Sequence, residues 1–127
     1  MFQSHLSYSR FFSFLQAFVV LLIVFSSQEV QSQKVYKVPY ESQADLKVYI
    51  VPYESQADLL VYFVKYESQA NRDGLFFSVK YESQADYKLY FVEYESQADL
   101  KIYIVDYESQ AGWRNKQKQH LLKFQKP

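Results

Sequence analysis

Cysteine is absent from this chain, glycine occurs twice and tryptophan once. Without cysteine there is no disulfide, no thiol nucleophile and no thiolate metal site. With only Gly74 and Gly112, no glycine-rich loop can cradle a phosphate. Histidine is nearly as scarce, with His5 and His120 the only two. A zinc site resting on His120 and carboxylates would be weak. No Asn-x-Ser/Thr sequence is present, so N-glycosylation is not expected.

One long apolar run stands near the start. Phe11 to Phe25 is 15 residues, interrupted by Ser13 and Gln16, after a polar stretch holding Arg10. A spanning helix needs about 20 apolar residues. A weakly basic start, a short apolar core and small residues after it describe a secretory signal peptide. The expected signal peptide is 1–26, with cleavage after Ser26 or as late as Ser32, and 27–33 is a polar linker. Nothing later is apolar enough to span a membrane as a helix, so the mature chain is expected to be secreted and extracellular.

What the chain has in abundance is Tyr-Glu-Ser-Gln-Ala. Copies begin at Tyr40, Tyr53, Tyr66, Tyr81, Tyr94 and Tyr107. The spacing is 13 residues, except for 15 between the third and fourth copies. A fixed short period means one supersecondary unit copied in tandem. Within Asp45 to Ala57, Leu46, Val48 and Ile50 alternate with Lys47, Tyr49 and Val51, the period-two signature of a strand. The first set is the expected core face; the Lys and Tyr face should be wetter. Glu-Ser-Gln-Ala-Asp reads as the connector. The two extra residues of the third unit lie in Asn71-Arg72-Asp73-Gly74, a corner with a strong turn signal.

The expected class is all-β, a tandem 13-residue repeat spanning 34–111. Two architectures fit. In a small β-solenoid each unit is one coil and successive strands stack in parallel, which would also stack the glutamates roughly 4.8 Å apart. In the alternative each unit is one strand plus a loop, giving an antiparallel meander or a closed six- to seven-stranded barrel. Like-charge repulsion favours the barrel, but completeness of the repeat favours the solenoid, which is the expected architecture.

The array ends at Gly112, where the expected Asp is lost, followed by Trp113 and Arg114. Repeat arrays need a terminal cap, so 112–127 reads as a C-terminal cap and basic tail, with Trp113 covering the last unit. His120 to Phe124 reads as a strand or short helix behind it. Residues 34–111 hold 8 basic and 13 acidic side chains, whereas 112–127 hold 5 basic and none acidic. The tail folds back on the acidic repeats, stays solvated, or meets a polyanion or membrane surface.

The run Y-E-S-Q-A-D-L-K-V-Y-I-V, the unit ending D-G-L-F-F and the close Y-E-S-Q-A-G-W-R-N-K resemble a small family of short secreted repeat proteins. The resemblance implies an architecture and a location, and no catalytic residue.

Candidate binding residues are therefore the repeated polar ones. Glu41, Glu54, Glu67, Glu82, Glu95 and Glu108 form one set, and Asp45, Asp58, Asp86 and Asp99 another. Aligned carboxylates with Ser and Gln oxygens could hold calcium. A Tyr- and Gln-lined surface suits glycans, with avidity from repeated weak sites. The Trp113-Arg114 pair is a further candidate for ligand recognition. The serines lack the histidine of a hydrolase triad, and six equal environments do not make one asymmetric pocket. The expectation is a non-enzymatic binding or structural module without a cofactor. Its partners would be extracellular glycan, protein or copies of itself, and not nucleic acid, given the acidic body.

Overall fold

The computed structural model describes residues 33–122. The expected signal peptide, nearly all of the linker and residues 123–127 lie outside them. Each repeat supplies one strand: β1 (Gln33–Lys37), β2 (Leu46–Ile50), β3 (Leu59–Phe63), β4 (Leu75–Ser78), β5 (Tyr87–Phe91) and β6 (Leu100–Ile104). A two-residue strand, β7 (Gly112–Trp113), closes the array. Gln33, assigned to the linker from composition, is the buried first residue of β1.

The sheet order is β4-β1-β5-β2-β6-β3-β7, with β3 also paired to β4. Six strands therefore form a closed ring, and all six of its pairings are parallel. The class is all-β, and the closed barrel is the architecture observed. The ring differs from a solenoid in its neighbours: β1 lies between β4 and β5, and β2 between β5 and β6. It differs from a meander in direction, since only β7 runs antiparallel, against β3. Closure accounts for both departures. A short stack of coils leaves two open edges, and the ring leaves none. It also spreads like charges around a circumference.

Each Glu-Ser-Gln forms a single 3₁₀ turn: η1 (Glu41–Gln43), η2 (Glu54–Gln56), η3 (Glu67–Gln69), η4 (Glu82–Gln84), η5 (Glu95–Gln97) and η6 (Glu108–Gln110). Most connectors are 8 residues long, from the end of one strand to the start of the next. At up to about 3.3–3.6 Å per residue they return along a strand of five residues and step sideways. The chain crosses over a strand laid down elsewhere in the sequence: η1 packs on β5, η2 on β6, η5 on β2 and η6 on β3. The segment leaving β1 covers β5, and the segment leaving β5 covers β2, so the units are interlaced.

Register sets the barrel's shape. Val35 pairs with Tyr87 although its repeat counterpart is Leu89, and Leu89 pairs with Leu46 in turn. The same two-residue offset recurs at every interface, giving a shear of about 12 residues for six strands. Strands so sheared tilt by roughly 50–55°, which opens the interior enough to be filled by side chains. The middle layer is Val35, Val48, Val61, Phe76, Leu89 and Ile102, all buried. The layer nearer the strands' amino ends is Gln33, Leu46, Leu59, Gly74, Tyr87 and Leu100, also buried.

The outer faces are covered too. Val51, Ala57, Leu60, Val64, Ala70, Leu75, Val105 and Ala111 form a second apolar layer, with Tyr49, Tyr62, Phe77 and Tyr103 against it. The strand tyrosines expected to face water are thus half-buried. The small alanine of each repeat lets its connector lie close to the strands beneath.

Candidate functional site

The two ends of the barrel are unlike. At the amino end, η7 (Lys116–Leu122) brings buried Leu122 against the core, with Trp113 and Leu121 packed beside it. The Tyr87 hydroxyl donates to the Leu122 carbonyl. One carboxylate ties the strands' beginnings together. Asp73 accepts from Gln33 Nε2 at 2.5 Å and from Trp113 Nε1 at 2.6 Å, and Gln33 Oε1 accepts from the Gly74 amide at 3.0 Å. Arg72 donates to the carbonyls of Ala111 and Glu108. Trp113 therefore packs at the plugged end, while the neighbouring Arg114 side chain is exposed and its amide bonds the Asp58 carbonyl at 2.8 Å.

Asp58 is the second anchor of that end. It is buried and accepts from the Lys101 amide at 2.9 Å, Asn115 Nδ2 at 3.2 Å and Lys118 Nζ at 3.2 Å. Burial pushes its carboxyl up. The Lys101 amide, the Asn115 and Lys118 side chains and the Lys118 charge outweigh burial and hold it below its ordinary value. Part of the basic tail thus folds back on the acidic body.

The aspartate set works inside the sheet. Each aspartate's amide bonds the carbonyl of a lysine on the neighbouring strand, while its carboxylate accepts that lysine's amide. Asp45 clasps Lys88, Asp58 clasps Lys101, Asp86 clasps Lys34 and Asp99 clasps Lys47, at 2.8–3.1 Å. Where the series would clasp β3, the aspartate is Gly112 and the lysine is Leu60, and these two residues face each other in the β3–β7 pair.

The glutamates ring the barrel and do not stack as a solenoid would have them. Glu41 pairs with Lys47 at 3.4 Å, Glu67 with Lys34 at 3.3 Å, Glu82 with Lys88 at 3.5 Å and Glu95 with Lys101 at 3.5 Å. Glu54 and Glu108 have no such partner among the described residues. Exposed pairs of this kind contribute about 0–1 kcal/mol each. Among the described residues no group of three or more His, Asp or Glu side chains is placed to hold a metal ion. No described helix is long and apolar enough to cross a membrane.

The carboxyl end is open. Its inward layer is Lys37, Ile50, Phe63, Ser78, Phe91 and Ile104. Here Ile50 is 49% exposed, Phe63 39% and Ile104 38%. Lys37 Nζ lies 5.4 Å from the Phe91 ring centre, and Phe63 meets Phe76 edge-on at 6.0 Å. Because the strands are parallel, all six Val-x-Tyr corners leave the barrel at this end. The valines are buried, and Tyr40, Tyr53, Tyr66, Tyr81, Tyr94 and Tyr107 are 62–68% exposed. Sequence reading missed the mouth. Its signal is the last inward position of each strand, where Ile50, Phe63, Phe91 and Ile104 look like core until the barrel's depth is known.

The chain matches the 7(1) septoil knot domain over residues 32–114. It belongs to that family of repeat domains. No curated protein matches it.

Proposed function

We propose that this is a secreted, non-enzymatic interaction module that works through the open carboxyl end of its barrel. One observation carries the reading. Apolar side chains and six tyrosines are exposed at the end where all corners converge, while the other end is plugged. Exposed apolar surface bounded by polar residues marks interaction sites, and tyrosine is enriched in them. This end's exposed inward side chains lie directly over a filled core, which suits a face or a chain laid across it more than a small molecule enclosed in a cavity. The secreted location rests on the signal-peptide pattern.

A glycan is the second reading. Each corner joins an exposed tyrosine to exposed Glu and Ser side chains, offering a stacking face with hydrogen-bonding groups. Calcium is less favoured, because the aspartates are engaged by backbone amides and most glutamates by lysines. The test is retardation of the mature chain on immobilised neutral polysaccharides, alongside sedimentation over a range of concentrations. Retardation lost in a Tyr53→Ser, Tyr94→Ser, Tyr107→Ser variant supports glycan binding. Concentration-dependent mass supports assembly. A chain that does neither overturns the module reading.

A further inference from the structure

Inside the repeat, the residue before each exposed tyrosine is the corner position that changes: Pro39, Pro52, Lys65, Lys80, Glu93 and Asp106. All six are exposed. Along the chain they run as pairs, two prolines, two lysines and two acids. Interlacing redistributes them. In ring order from β4 through β1, β5, β2 and β6 to β3, the corners read Lys80, Pro39, Glu93, Pro52, Asp106 and Lys65. The lysines become neighbours because β3 and β4 pair, and the acids stand either side of Pro52, with Asp106 next to Lys65. The open end therefore has a basic sector and an acidic one around a mouth layer that is apolar at Ile50, Phe63, Phe91 and Ile104 and polar at Lys37 and Ser78.

Resting on the reading that this end is the interaction surface, we propose that its partner is a second copy of this chain, docked mouth to mouth. A two-fold axis lying in the plane of the mouth, between the two sectors, reverses the order of corners in the second copy. Each lysine sector then falls over the other copy's acidic sector, twice per contact. A closed two-fold interface needs a self-complementary patch of this kind. The apolar side chains of the two mouths meet on the axis, and the tyrosines surround them with large, semi-rigid contact area. Opposed sectors fix the rotation of one copy on the other, and other rotations bring like charges together. The plugged end stays outside, so the assembly stops at two.

Charge swapping with sedimentation of the mature full chain tests this. One variant carries Lys65→Glu and Lys80→Glu, making all four charged corners acidic. The other carries Glu93→Lys and Asp106→Lys, making them basic. All four positions are exposed, so both variants should keep the native circular dichroism spectrum. Wild type is expected to dimerise. Each variant alone should lose dimerisation by about tenfold or more, and an equimolar mixture should recover it as a heterodimer. Ile50→Asp should abolish dimerisation in any background. A monomeric wild type overturns the proposal, as does a mixture that stays monomeric while both variants remain folded. The two readings fail separately. If wild type is monomeric yet held on polysaccharide, and Ile50→Asp releases it, the module stands and the dimer falls.

Discussion

At the scale of single residues, the departures from the repeat hold the structure together. Gly74 has φ +94°, and a Cβ there would lie 2.5 Å from the Leu60 carbonyl oxygen and 2.9 Å from the Gly112 nitrogen. The obstacles are backbone atoms of two other segments and cannot swing aside. Gly74→Ala is expected to cost at least about 3 kcal/mol, or to prevent folding, read as the urea midpoint. Asp58 gives a prediction with a sign. Its carboxyl is held below the ordinary value of 3.8, so on acidification the unfolded chain takes up the proton first. Stability from ionised Asp58 is complete above about 3.8 and is lost as pH falls through the lower folded-state value. Asp58→Asn should cost about 1–3 kcal/mol at neutral pH. Urea titrations between pH 2 and 6 should show the gap to wild type closing at the acid end.

At the scale of elements, the aspartate clasp is the recurring device. It satisfies the first lysine amide of four strands with a carboxylate from the neighbouring strand's entry. Asp99→Ala leaves the Lys47 amide without its carboxylate partner and is expected to cost about 1–3 kcal/mol. Amide exchange should quicken at Lys47 more than at Lys101, whose clasp is intact. The strands themselves were legible in the sequence, because period-two alternation and the connector's turn residues are local properties. Their partners were not legible. Near-identical units can pair in any combination, so nothing local says that β1 prefers β4 and β5 to β2. Only the exceptions break that degeneracy: Leu60 with Gly112, Gln33 with Asp73, and the two extra residues before Gly74. Their meaning depends on contacts about 40–50 residues away in sequence. The candidate site follows suit. The tyrosines stood out as repeated, but their gathering at one end required parallel strands, and the charge sectors required the ring order.

At the scale of the whole molecule, nearly every strand pairing is distant in sequence, and the last unit must find its place among strands already crossed by connectors. Loop-closure entropy then comes before the contacts that offset it, which slows folding. The amino end depends on what arrives last. Removing residues 112–127 strips Trp113, Leu121 and Leu122 from the inner layer around Leu46, Leu59, Tyr87 and Leu100. The truncated chain is expected to aggregate, seen as light scattering on refolding from urea. A truncation that stays soluble with an unchanged melting temperature would mean that the barrel is self-sufficient without its plug.

Interlacing also bears on how such a sequence can change over generations. Tandem near-identical segments invite slippage during replication, and in a stacked array a gained or lost copy merely lengthens or shortens the product. Here each strand is flanked by partners three or four copies away, and the one adjacent pair, β3 and β4, is the seam that closes the ring. Dropping a single 13-residue copy would reassign almost every neighbour and misplace the seam. The number of copies is therefore quantised: the gene can drift in the letters of its repeats far more freely than in their count.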